Sequence, residues 1–225
     1  MKKFVVFNLK VYHEGRKNKE LVNAAEEMER EAEKKEAEIL VAPPSLDLKE
    51  LASVTKNAKI IAQHADCDGT GAHTGSVPIE HLRLIGVVGT LINHSEHRIP
   101  IEKIKATIQK AKELNLISIV CVQNDAEAKE VAPFNPTAVA YEPPYLIGSK
   151  EKSVATEPEK VLASLKAVRS VNPKVRALIG AGLRKPEDFR KSAELGADGV
   201  LLASAFVEAP EPKAYIKMIL DEFCR

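Results

Sequence analysis

The sequence predicts an α/β fold, a (β/α)8 barrel formed by one domain over residues 1–225. Three observations predict it. Eight short runs rich in β-branched residues alternate with amphipathic, charge-rich segments, the pattern of repeated βα units. The runs are nearly all apolar, as strands are when helices cover both faces of a parallel sheet. Eight such units in one domain favour closure into a barrel, and with 225 residues against ~250 for a typical barrel the loops must be lean. An open doubly wound sheet would require a glycine-rich fingerprint after the first strand, and "FNLKVYHEG" lacks one.

The strand runs are "FVVFN" (4–8), "EILVA" (38–42), "KIIAQ" (59–63), "VGTLIN" (88–93), "LISIVC" (116–121), "TAVAY" (137–141), "KVRALIG" (174–180) and "DGVLLA" (198–203). The first helix is "NKELVNAAEEMEREAEKK", with Leu21, Ala24, Ala25, Met28 and Ala32 on one face and its Glu/Lys run on a solvated one. Further helices are expected at about 101–114, 125–131, 157–170, 186–195 and 211–223, with shorter ones after the second and third strands.

Bulk properties exclude several functions. The formal net charge is +1, so there is no bulk electrostatic footprint for nucleic acid or an anionic membrane. Aromatic residues are 4% of the chain and Trp is absent, which argues against base-stacking platforms. "MKKFVVFNLKVY" starts basic and then apolar, but Asn8 and Lys10 break the run before it reaches the length of a signal peptide. No apolar stretch approaches membrane-spanning length. Cys67, Cys121 and Cys224 are an odd number without metal-type spacing, so a reduced, cytoplasmic chain is the simplest reading.

In a barrel of this kind, chemistry gathers at the C-terminal ends of the strands. The first strand ends in Asn8 and Lys10, two residues apart and so on one side of an extended chain. The fourth ends "INHSEHR", supplying Asn93, His94 and Glu96, with a polar segment able to open a short helix after His94. The sixth ends in Glu142, followed by Pro143-Pro144, which stiffen the chain beside it. The seventh and eighth end in Gly180, Gly182, Ala203 and Ser204, small residues that let backbone N–H groups approach a phosphate. Singly, each has an ordinary reading as a solvated charge, a structural imidazole or a turn. Together they place a carboxylate base, an imidazole, an ammonium and small-residue loops in one mouth.

"NLKVY", "NHSEHR", "YEPPYLIGS", "IGAGL" and "GVLLAS", in this order along the chain, resemble the signature segments of the triosephosphate isomerases, most closely the compact archaeal branch. The resemblance implies a TIM barrel that interconverts D-glyceraldehyde 3-phosphate and dihydroxyacetone phosphate through an enediolate, in glycolysis and gluconeogenesis, without cofactor or metal. It implies Glu142 as the base, His94 as the neutral electrophile, Lys10 as the cation beside phosphate and oxyanion, and Asn8 as a substrate-orienting group. A Glu base working beside a neutral His under a closing lid is the established mechanism of that family. The backbone of Gly148, Gly182, Ala203 and Ser204 would hold the phosphate, Glu96 would position Lys10, and residues near 145–153 would form the lid. "GAHTGSV" resembles the family's long loop after the third strand, with Thr74 at a tip that enters a neighbouring subunit, which implies a homodimer or homotetramer.

Three positions depart from the family pattern. Lys150 follows Gly148-Ser149 where Gly is usual, and a positive φ there would cost about 1 kcal/mol. Tyr145 stands where the compact branch has Glu, and Ala205 replaces a Gly. "QHADCDGTGAHTGSV" gathers His64, Asp66, Cys67, Asp68 and His73 but has neither zinc-ligand nor EF-hand spacing. Another phosphosugar isomerase or synthase on the same barrel would change the strand-end acid and base. An inactive phosphate-binding homologue would lack Glu142, His94 or Lys10.

Overall fold

Eight parallel strands make one sheet in the order β3-β2-β1-β8-β7-β6-β5-β4. They are β1 (Lys3–Asn8), β2 (Ala37–Ala42), β3 (Lys59–Ile60), β4 (Gly89–Ile92), β5 (Ile117–Val122), β6 (Ala138–Tyr141), β7 (Arg176–Ile179) and β8 (Gly199–Leu202). This computed structural model describes residues 1–147 and 152–224. The two end strands meet: Ile60 O accepts the Val88 N–H at 2.9 Å, Ala62 N–H donates to Gly89 O at 2.8 Å, and Leu91 N–H donates to Ala62 O at 2.8 Å. These bonds close the sheet into the barrel that the run of βα units predicts.

The helices are α1 (Gly15–Lys34), α2 (Leu48–Val54), α3 (Ile79–Leu84), α4 (Ile101–Glu113), α5 (Asp125–Val131), α6 (Pro158–Val171), α7 (Pro186–Glu194), α8 (Ser204–Val207) and α9 (Pro212–Phe223). Proline opens α6, α7 and α9, where its missing N–H costs no intrahelical bond. Asn124 caps α5 by accepting the Glu127 N–H at 2.9 Å. The first helix begins at Gly15, three residues before the Asn18 expected to open it. The four-residue α8 carries too few residues for a period to be visible in the sequence.

Strand alternation sorts the apolar residues into two cores. Phe4, Val6, Leu40, Ala42, Ile61, Leu91, Ile119, Cys121, Ala138, Ala140, Leu178 and Leu201 fill the bore. The intervening strand residues, such as Val5, Phe7, Ile39 and Val41, face outward and pack under the helices. A strand of period 2 whose inner residues are Phe4 and Val6 necessarily brings Asn8 to the bore's C-terminal mouth. The same counting takes β6 from Ala138 and Ala140 to Glu142, and β7 from Leu178 to Gly180. The expected third strand was longer than the two-residue ladder seen. Beyond Ile60 the chain continues through an isolated parallel bridge between Ala62 and Thr90.

Candidate active site

Asn8, Lys10, His94, Glu96, Glu142, Gly182, Ala203 and Ser204 line one cavity at the C-terminal mouth, of about 250 Å³. That is below the ~300–1,000 Å³ of drug-sized ligand clefts and suits a small molecule. Residues singled out from five different strand ends thus meet in one place.

The route at β1 differs from the expected one. Lys10 is not on an extended strand: its φ is 48°, in the left-handed region, at a cost of about 1 kcal/mol. Its N–H donates to Asn8 Oδ1 at 3.0 Å. Its carbonyl accepts from Gln63 Nε2 at 2.9 Å, and Gln63 Nε2 also donates to Ala42 O at 2.9 Å. Gln63 therefore ties the ends of three strands together and holds the turn that aims Lys10. Lys10 Nζ in turn bonds Glu96 Oε1 at 2.6 Å.

The segment after His94 forms a turn, not a helix, closed by His97 N–H to His94 O at 2.8 Å. A turn of this size still supplies one N–H to the imidazole: Glu96 N–H donates to His94 Nδ1 at 3.1 Å. An Nδ1 that accepts leaves the proton on Nε2 of a neutral ring. Burial pushes the His94 pKa down, the Lys10 charge pushes it the same way, and Glu96 opposes them. Asn93, at φ 62°, anchors the turn by donating to Cys121 O at 3.1 Å and accepting the Ile99 N–H at 3.1 Å.

Glu142 is 3% exposed, with Oε1 3.6 Å from His94 Nε2. Its Oε2 is buried without a hydrogen-bond partner among the described residues. Burial raises its pKa to about 7, against weaker opposing pulls from the Cys121 thiol, Lys10 and the Ser95 N–H. Gly180 makes the room: a Cβ there would lie 2.5 Å from Glu142 Cγ. The resulting arrangement is a carboxylate that titrates near neutrality, facing a neutral N–H donor and an ammonium across a small cavity. It can exchange a proton with a carbon atom while charge on a neighbouring oxygen is stabilised.

The small residues sit opposite. Gly182, at φ +73°, is in a conformation that favours glycine, and a Cβ on it would come within 3.2 Å of Leu146 Cδ1 and of Val154 N. Its carbonyl accepts the Val154 N–H at 3.0 Å. Ala203 precedes α8, and its carbonyl accepts from Phe206 and Val207, leaving Ser204 and Ala205 at a helix start whose first N–H groups lack intrahelical acceptors. Gly148 and Lys150 lie outside the described residues. Tyr145 places its ring under two ammonium groups, Lys152 and Lys160 Nζ, at 5.7 and 5.0 Å from its centroid.

Thr74 is exposed and lines a second cavity, of about 620 Å³, that shares Asn8, Lys10, His94 and Glu96 with the first. Among the described residues no cluster of three or more His, Cys, Asp or Glu could hold a metal ion. His64 bonds Asp66 at 3.1 Å, and Asp66 accepts the Val77 N–H at 2.7 Å, so that motif fastens its own loop. Sequence reasoning missed Gln63, Ser95 and the spatial role of Gly180. Gln63 and Gly180 sit one strand period beyond Ile61 and Leu178, and Ser95 follows His94 directly, so the first two were legible from inward spacing.

A family model described as triosephosphate isomerase matches residues 3–220. The triosephosphate isomerase of Methanothermus fervidus is 39% identical over 218 residues, covering 97% of both chains. That of Methanosarcina barkeri is 40% identical over 217 residues, 96% of this chain and 97% of its own. That of Methanocaldococcus jannaschii is 39% identical over 218 residues, 96% and 98%.

Proposed function

The chain belongs to the triosephosphate isomerase family, and from that premise we propose how its barrel mouth performs the interconversion of D-glyceraldehyde 3-phosphate and dihydroxyacetone phosphate. Glu142 takes the proton from the carbon beside the carbonyl and returns it to the neighbouring carbon. The electron pair left behind becomes the enediolate, whose oxygens accept from His94 Nε2–H and face Lys10. A neutral imidazole can take back the proton it lends; the lowered His94 pKa supports the neutral form. Asn8 orients the substrate, Glu96 holds Lys10, and the backbone at Gly182, Ala203 and Ser204, with Gly148, receives the phosphate.

The observation that carries this reading is the Glu142 carboxylate: buried, unpartnered at Oε2 among the described residues, and 3.6 Å from His94 Nε2. Such a contact is too long for a hydrogen bond, and contacts of this kind tighten when substrate arrives. In heavy water the protein should isomerise triose phosphates and leave solvent deuterium on the transferred position. Binding of a phosphate-bearing analogue with neither isomerisation nor exchange would favour the inactive homologue. Isomerisation of a different phosphosugar alone would favour the other enzyme reading.

The second part of the proposal is assembly as a homodimer or homotetramer in the cytoplasm. Leu46 is 97% and Val11 82% exposed, at loops on the same end of the barrel as exposed Thr74, and large apolar side chains in that position suit a covered face. The Thr74 tip would enter a partner and brace Asn8 and Lys10 from outside. Replacing residues 70–76 with a short Gly/Ser turn should give monomers by sedimentation and a sharp loss of activity; a fully active monomer excludes this assembly role. The free state of all three cysteines accords with a reducing compartment.

A further inference from the structure

At the N-terminal end of the barrel, opposite the active site, the starts of β5, β6 and β7 border a groove of about 390 Å³. Three cationic side chains from three segments line it: Lys112 from the last turn of α4, Lys174 from the loop into β7, and Arg176 at the first position of β7. Among the described residues no acidic side chain lines it. By contrast, Lys59 and Arg169 at this end are paired with carboxylates, Glu38 at 2.8 Å and Asp198 at 3.0 Å. Among the described residues Lys112, Lys174 and Arg176 have no such ion pair.

Several polar groups in the groove also have donors without acceptors among the described residues. Arg176 stacks its guanidinium on Phe4, with Cζ 4.4 Å from the ring centroid, and its Nε is buried without an acceptor among the described residues. Ser118 Oγ accepts the Thr137 N–H at 3.1 Å, and Thr137 Oγ1 accepts the Ser118 N–H at 3.1 Å. With their oxygens fixed as acceptors, neither hydroxyl donates to a described protein group. Asn115, in the left-handed conformation at φ 55°, adds an amide at the rim. Hydroxyls, an amide and the three cationic side chains thus converge where no carboxylate answers them, and the group that completes such a set is an oxyanion.

The groove has room for more than one phosphoryl group, and its three charges exceed what one phosphoryl group neutralises. We propose that it binds a compact polyanion with two linked phosphoryl groups, of which inorganic pyrophosphate is the simplest. The groove is separate from the mouth that handles triose phosphate, so either site can fail without the other.

The test is a calorimetric titration of the whole protein with pyrophosphate, with the active site kept saturated by triose phosphate. One saturable pyrophosphate per chain is expected. The exposed pair Lys112→Gln/Lys174→Gln should weaken it by about tenfold or more at moderate salt and leave isomerase activity unchanged. A control pair on other surfaces, Lys34→Gln/Lys166→Gln, removes the same charge and should leave the affinity alone. Inorganic phosphate should bind more weakly than pyrophosphate. No binding once the active site is filled, or equal weakening by both lysine pairs, would overturn the site; equal affinity for phosphate and pyrophosphate would overturn the two-phosphoryl ligand.

Discussion

Glu142 and Glu29 are both buried glutamates, 3% and 4% exposed, and burial raises the pKa of each to about 7. Their surroundings differ. Glu142 ends β6 at the mouth of the bore, with Oε2 unpartnered among the described residues and an imidazole, an ammonium and a cavity in front of it. Glu29 lies on the inner face of α1, where its Oε2 accepts the Ile39 N–H at 3.1 Å. The first rung between β2 and β3 joins Leu40 to Lys59, so the helix supplies the acceptor that Ile39 does not find in the short third strand. A raised pKa marks both residues alike; what separates a base from a structural acceptor is whether a carboxylate oxygen without a donor faces space a substrate can enter.

The sharpest break in this comparison comes from the same substitution at both positions. Glu142→Gln keeps shape and hydrogen bonding but removes basicity, and should lower kcat by about 10²–10⁴ while a phosphate analogue still binds. Glu29→Gln should leave kcat and KM unchanged. Steady-state kinetics with each variant decides it: near-normal turnover in Glu142→Gln puts the base elsewhere, and a large kcat loss in Glu29→Gln removes the distinction drawn between the two.

A smaller effect should come from crowding Glu142 without changing it. In Gly180→Ala the new methyl would start 2.5 Å from Glu142 Cγ, closer than real contacts allow, so the carboxylate must move. Displacing a catalytic group by about 1 Å costs of order 10²-fold in rate. The loss should fall on kcat more than on KM, because the clash meets the Glu142 side chain and not the backbone at Gly182, Ala203 and Ser204 that receives the phosphate. Unaltered kinetics would mean that the carboxylate has more freedom than its burial suggests.

How much of this was legible in the sequence differs between the two glutamates for a physical reason. Glu142 stands out because it ends an apolar run and precedes two prolines; strand period alone then aims it into the bore. The same counting delivers Asn8 and Gly180. His94 and Lys10 are legible as residue types, but their orientation rests on turns: Asn93 and Lys10 both have positive φ, held by hydrogen bonds with Gln63, Cys121 and Ile99 that no periodicity encodes. The short helix expected after His94 is a turn for the same reason. Glu29 was concealed in a Glu/Lys-rich run read as solvated. Yet it follows Leu21 and Ala25 at intervals of four, on the buried face, so the spacing carried the signal that the composition masked.

The smallest expected effect tests Glu29 alone, through stability. Its carboxyl releases a proton near pH 4.5 when unfolded and near pH 7 when folded. Between those values the folded state holds more protons, so the Glu29 contribution to stability is full below pH 4.5 and is lost as pH rises through 7. Glu142 adds a fall of the same sign, which is why the variant, and not the wild-type curve, isolates Glu29. In Glu29→Gln the side-chain oxygen can still accept the Ile39 N–H, and no charge has to be buried. The variant should match wild type at low pH and exceed it by roughly 1–3 kcal/mol at about pH 8, a figure of the order that a shift of this size implies. Urea unfolding at about pH 4 and about pH 8 measures both points. The nearby charges sharpen the expectation: Glu33 and Glu38 disfavour the ionised form, and of the neighbouring charges Lys59 opposes them. Should Glu29→Gln instead be the less stable protein at the higher pH, the charge-assisted bond to Ile39 outweighs the burial of the carboxylate, and folding does not raise the Glu29 pKa.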